Sequence, residues 1–125
     1  MSTITLYHYT NKEGIEGISQ SDIIETSRLS RRDAVFGEGV YLTSLSHRES
    51  KETIVANNWG ITDQAKIKKE VREGRVDYNV KIKIPKKDGK LEDISGNTGR
   101  DIFLYKGEID VTQFTHQFYQ GTQVY

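Results

Sequence analysis

The chain has 125 residues, the size of one domain and too short for two ordinary ones. Leu, Ile, Val and Phe fill 31 positions, enough for a modest core, and a mean hydropathy of -0.66 describes a well-charged surface. Lys and Arg (18) cancel Asp and Glu (18), so the overall charge demands neither nucleic acid nor membrane, and the absence of cysteine excludes a disulfide scaffold, a thiolate metal site and a cysteine nucleophile.

The opening residues Met1 to Leu6 lack the cationic and apolar regions of a signal peptide, and no apolar run approaches the ~20 residues of a membrane span. A soluble protein is expected, cytoplasmic or delivered without a classical signal peptide. Thr3 to Tyr9 alternates apolar and polar positions and predicts a strand. Asn11 caps a helix reaching Gln20, with Ile15 and Ile18 on its apolar stripe. Ile23 to Glu25 reads as a short strand, Thr26 to Gly39 as a loop, and Val40 to Thr43 as a strand again. Ser46, with Glu49 three residues on, predicts a capped helix through Asn58, closed by Trp59 and Gly60. A further helix over Thr62 to Gly74 should bury Ala65, Ile67 and Val71. Tyr78 to Ile84 gives the clearest strand alternation, ended by Pro85 and the Lys87-Asp88-Gly89 turn. Asp101 to Ile109 and Val111 to Tyr119 are the last predicted strands. This order lacks regular βαβα alternation, so the expected fold is a single α+β domain over residues 1–125: a compact mixed, mainly antiparallel split sheet with a few short helices. Neither GxGxxG nor GxxxxGK occurs, so any nucleotide is held by another route.

Two segments carry candidate chemistry. Tyr7-His8-Tyr9-Thr10 places a histidine at a strand end, facing away from its flanking aromatics. Phe36-Gly37-Glu38-Gly39-Val40-Tyr41-Leu42-Thr43 sets two glycines, which permit sharp turns or close approach, just before a strand that presents Tyr41. Each has a plain structural explanation taken singly. Lys66 to Lys90 holds ten basic residues against four acidic ones, a band that reads as a solvated face or a receiver of an anionic target.

Taken together, the strand-end His-Tyr-Thr, the helix with Gly14-Ile15-Glu16-Gly17-Ile18, Ile23-Ile24 with Ser27, and Gly-Glu-Gly-Val-Tyr-Leu-Thr resemble the ADP-ribosyltransferase superfamily. The likeness is to its His-Tyr-Asp type, found among polymorphic-toxin domains related to poly(ADP-ribose) polymerases. It runs from Leu6 to about Ser50 and again from Asp101 to Tyr105. The resemblance implies NAD⁺ as substrate and no metal. It assigns His8 to the adenosine ribose, the Tyr9 backbone to the nicotinamide carboxamide, and Tyr41 to the nicotinamide ring, where a flat aromatic suits stacking. Asp101 matches the acidic residue that steadies charge as the glycosidic bond breaks. Glu108 and Asp110 are rivals for that part, and aspartate is one methylene shorter than the glutamate of many active relatives.

The resemblance also assigns Thr10, Ser27, Arg31, Arg32, Gly39 and Ser44 to the dinucleotide, with the loop arginines, Arg28 among them, over the pyrophosphate. Ser44 or Ser46 can pair with the carboxamide, and Trp59 is either core or a second aromatic wall. The implied reaction is transfer of ADP-ribose to a protein or nucleic-acid acceptor. An NAD glycohydrolase, an RNA 2′-phosphotransferase and an inactive ADP-ribose-binding module stay open as alternatives. A toxin origin would imply an immunity or carrier protein as partner.

Overall fold

Strand β1 (Thr3–Thr10) pairs antiparallel along its whole length with β4 (Tyr78–Pro85), from Thr3 opposite Pro85 to Thr10 opposite Tyr78. The computed structural model describes residues 2–26 and 37–125; Ser27, Arg28, Arg31 and Arg32 lie outside the described residues. Strand β4 is flanked on its other edge by β8 (Thr115–Gln120), which turns into β9 (Gln123–Val124). This four-stranded sheet has the order β1-β4-β8-β9. A second sheet, of order β3-β6-β5, comprises β3 (Val40–Leu42), β6 (Phe103–Tyr105) and β5 (Leu91–Asp93). A two-stranded pair joins β2 (Ile23–Ile24) to β7 (Ile109–Asp110). Among the described residues all strand pairings are antiparallel, which fits the mixed α+β class read from the sequence.

Alternation along β1 sends Leu6 to one side and Tyr7 and Tyr9 to the other. Leu6, Val80, Ile82 and Ile84 meet Ile15 and Ile18 of α1 (Lys12–Ser21) in the main core. Full burial of each such aliphatic side chain contributes about 1.5–3 kcal/mol. Tyr7 and Tyr9 meet Ile54 and Val55 of α2 (Lys51–Trp59) and Ile67 of α3 (Gln64–Arg72) in a second core on the opposite face. The sheet is therefore covered on both sides, and α2 lies on the side away from α1.

Helix α1 begins as expected, with the Asn11 side chain accepting from the Gly14 N–H at 2.8 Å. Helix α2 does not begin at Ser46. Its cap is Ser50, whose side chain accepts from the Thr53 N–H at 3.1 Å, while Ser46 and Glu49 form a separate turn closed by Glu49 N–H to Ser46 C=O at 3.0 Å. The turn holds because His47 is tied sideways, its Nδ1 3.2 Å from Oδ1 of the buried Asn79. Helix α3 is shorter than predicted, capped by Asp63, and buries Ile67 but exposes Ala65. Residues two apart fall on opposing helix faces, so both cannot enter one core.

The predicted strand over Asp101 to Ile109 is two strands, parted near Gly107 at φ +101°. The next prediction begins one turn early, since residues Val111–Gln113 form a 3₁₀ turn before β8. Strands β5 and β9 and the short helix α4 (Ser95–Thr98) fall where no element was expected. The basic band is split between α3, where Lys66, Lys68 and Lys69 are exposed, and β4, where Lys81 and Lys83 alternate with buried isoleucines. Among the described residues no helix is long and apolar enough to cross a membrane.

Candidate functional site

Strands β1 and β3 touch through one backbone bridge among the described residues. The Tyr7 N–H donates to the Thr43 carbonyl at 2.8 Å and the Thr43 N–H to the Tyr7 carbonyl at 3.0 Å. Past that bridge the strands part. In an antiparallel ladder, backbone groups of alternate residues point to the same edge. The Tyr9 N–H and C=O therefore point the same way as those of Tyr7, into the gap that opens beside β3. His8, between them, carries its imidazole to the opposite face, with Nδ1 3.3 Å from the Tyr41 carbonyl oxygen. A carbonyl only accepts, so Nδ1 bears the proton and Nε2 is left as an acceptor. Burial holds the His8 pKa below the usual imidazole range, against the smaller opposing effect of that hydrogen bond. The ring is neutral near pH 7.

The gap is a cavity of about 140 Å³ bordered by His8, Tyr9, Glu25, Tyr41, Trp59 and Ile102. Cavities of ~150 Å³ admit a benzene ring, so this one has room for a single six-membered heterocycle. It adjoins a wider groove of about 360 Å³, lined by Thr10, Glu13, Gly14 and Ser21 among others, and His8 and Glu25 border both. A narrow aromatic slot thus opens past a neutral histidine into a broader groove of mixed lining, in which Ile18, Ile23 and Ile24 accompany the polar residues.

The slot's walls are fixed locally. The Tyr41 hydroxyl donates to the Gly37 carbonyl at 2.6 Å, and Gly37 reaches that position with φ +104°, where glycine is favoured. Gly39 serves strand packing: a Cβ there would lie 2.3 Å from the Tyr105 carbonyl oxygen of β6. The Tyr9 hydroxyl donates to the Leu45 carbonyl at 2.7 Å, and burial raises its pKa, so it stays protonated. Trp59 combines both predicted roles, bordering the slot while packing against the second core, with the Arg75 guanidinium 5.5 Å over its ring.

Asp101 precedes β6 by two residues, beside the end of β3, and comes one residue before the slot-lining Ile102. Its own side chain is not part of the slot's lining. Its Oδ1 accepts from the Ser44 N–H at 2.9 Å and from the Thr43 hydroxyl at 3.2 Å, and its Oδ2 accepts from the Ser44 hydroxyl. The carboxylate is thus clasped by the two residues that follow β3. The rivals stand elsewhere. Asp110 accepts from the Thr112 N–H at 3.0 Å and caps the 3₁₀ turn, and Glu108 is exposed beside β7.

The predicted set is partly gathered. His8, Tyr9 and Tyr41 meet in the slot, Thr10 lines the groove, and Ser44 meets Asp101. Gly39 is explained by β6, and Ser27, Arg31 and Arg32 lie outside the described residues. Two polar residues were not foreseen. Glu25 borders both compartments, and its place just after β2 carried no distinguishing sequence signal. Asn57 reaches Asp101: its Oδ1 accepts from the Asp101 N–H at 2.9 Å, and its Nδ2 donates to the Asp101 carbonyl at 3.0 Å and to the Thr43 hydroxyl at 3.2 Å. Asparagine is a weak helix former, and finding it inside the last turn before Trp59 was the available hint.

A family model described as an HYD1 signature containing ADP-ribosyltransferase matches residues 6–114. No curated protein and no solved structure matches the chain significantly. The matched region takes in β1 from Leu6 onward, the Gly37 to Thr43 segment and Asp101, the three stretches that build the site. The chain belongs to the HYD1-signature family of toxin-type ADP-ribosyltransferases.

Proposed function

We propose that this domain binds NAD⁺, cleaves its nicotinamide–ribose bond and transfers ADP-ribose to a macromolecular acceptor. The observation that carries this reading is the slot between the parted strands β1 and β3, sized for one heterocycle and walled by Tyr41 and Trp59 beside the Tyr9 backbone. Nicotinamide enters with its ring against Tyr41. Its carboxamide, a donor and an acceptor side by side, meets the C=O and N–H of Tyr9. The remainder of the dinucleotide passes His8, whose Nε2 accepts from an adenosine ribose hydroxyl, into the wider groove.

Asp101 acts at the nicotinamide ribose. A ribose hydroxyl replaces the Ser44 hydroxyl as donor to Oδ2, and the carboxylate stabilises positive charge developing at the anomeric carbon. The carbon–nitrogen bond breaks, nicotinamide leaves with the electron pair, and an oxygen or nitrogen of the acceptor bonds to the same carbon and sheds its proton. Rate enhancement comes from holding the bond in place and from electrostatics. Nicotinamide release from NAD⁺ by the purified domain, with water or cell extract supplying acceptors, tests the reading. Asp101→Ala should reduce release by at least about 100-fold, in the range of a lost transition-state contact; undiminished release by this variant removes Asp101 from the mechanism.

A further inference from the structure

The peptide group of Asp101 is held from both sides by one amide. Asn57 Oδ1 accepts from the Asp101 N–H and Asn57 Nδ2 donates to the Asp101 C=O, at 2.9 and 3.0 Å. The same Nδ2 reaches the Thr43 hydroxyl, which in turn donates to the Asp101 carboxylate. The Asn57 carbonyl is itself fixed, accepting from the Arg100 guanidinium at 2.7 Å. Asn57 sits on α2, one turn of which carries Asn58 and Trp59 to the slot wall. A single side chain therefore ties the wall helix, the end of β3 and the Asp101 backbone into one rigid unit.

We propose that Asn57 is a positioning residue, setting the place of the Asp101 carboxylate relative to the nicotinamide slot. This role rests on the function proposed above. A surface strand entry needs no such clamp: the neighbouring β6 ladder already fixes Phe103 to Tyr105. What the ladder does not reach is Asp101, two residues before β6 begins. There the hydrogen bonds of Asn57 take over, and they fix both the main chain and, through Thr43, the side chain. A misplacement of about 1 Å at a reacting centre costs on the order of 100-fold in rate.

Nicotinamide release is measured for the wild type, Asp101→Ala, Asn57→Ala and the nearly isosteric Asn57→Asp. The last keeps the acceptor for the Asp101 N–H and the side-chain volume that Asn57→Ala removes, and loses the three Nδ2 donations, to the Asp101 carbonyl, the Thr43 hydroxyl and Asn58 Oδ1. The fraction of folded protein is taken from ADP-ribose binding stoichiometry. The expected result is a fall in kcat per folded molecule of about 10- to 100-fold in the Asn57 variants, with KM for NAD⁺ within about threefold of wild type. A role in stability alone would lower the thermal midpoint and leave kcat per folded molecule unchanged, and that outcome overturns the proposal. If the wild type turns over, Asp101→Ala does not, and Asn57→Asp matches the wild type, only the Asn57 role falls. A wild type without turnover sinks the enzymatic reading and this role together.

Discussion

Tyr7 and Thr43 exchange both of their backbone hydrogen bonds, and the Thr43 side chain, almost wholly buried, continues the link to Asp101. One residue thus fastens β3 to β1 through its main chain and to the acidic residue through its hydroxyl. Thr43→Val keeps shape and backbone while deleting that hydroxyl. It strands the Leu45 N–H, which donates to Thr43 Oγ1 at 3.2 Å, and one donation from Asn57. Leaving a buried polar group unpaired costs about 1–3 kcal/mol, and Asn57 Nδ2 keeps its other acceptors, so urea unfolding should show a loss of about 1–3 kcal/mol for this variant. A midpoint equal to wild type would mean that these bonds contribute nothing net.

Tyr41 contributes a ring to the slot and a hydroxyl to the Gly37 carbonyl. The proposed use is of the ring. Tyr41→Phe should therefore retain nicotinamide release within about threefold, whereas Tyr41→Ala should lose at least about tenfold in kcat/KM, as expected for a lost aromatic pair worth roughly 0.5–1.5 kcal/mol plus its buried area. Equal losses in the two variants would shift the role from the ring to the hydroxyl.

His8 should make the fold sensitive to acid. Its folded-state pKa lies below its unfolded value of 6.5, so the unfolded chain binds more protons in the window between them. Stability is then fully present above the unfolded pKa and declines as pH falls from about 6.5 towards the folded value. Thermal midpoints measured across that window should drop for the wild type and drop less for His8→Gln, which cannot take up a proton. Parallel curves for the two proteins would exclude His8 as the cause.

Gly39→Ala would push a methyl group to 2.3 Å from the Tyr105 carbonyl oxygen and 2.6 Å from Leu104 Cδ1. Backbone cannot retreat as a flexible side chain can, so β3 and β6 must separate, at an expected cost of about 1–3 kcal/mol. Chemical denaturation measures it. A neutral substitution would show that β3 moves freely against β6, contrary to the packing described.

The sequence disclosed those parts of the site that are local. His8 and Tyr9 are marked by strand alternation and Tyr41 by the two glycines just before it, and they converge on one slot. Asp101 was legible only by resemblance, and its clasp by Ser44 spans 57 positions in the chain. Asn57 carried only a faint hint, a weak helix former within a helix, because its partner lies 44 residues away and no local pattern names so distant a hydrogen bond. Short elements failed for another cause. The strands β5 and β9 have three and two residues, too few for a period of two to declare itself. The helix predicted to start at Ser46 starts at the Ser50 cap instead, and the tie between His47 and Asn79, 32 positions apart, is not visible in the local pattern.

Among the described residues β1 is zipped to β4 throughout and to the end of β3 at the single rung of Tyr7, so beyond that rung its other side is a sheet edge. Sheet edges commonly recruit another polypeptide. Here the Tyr9 rung faces the slot, where the proposed function seats a flat primary amide. A small molecule seated there would stand in for the missing strand, and amide hydrogen exchange at Tyr9, rather than any large movement of the backbone, would be the place to see it arrive.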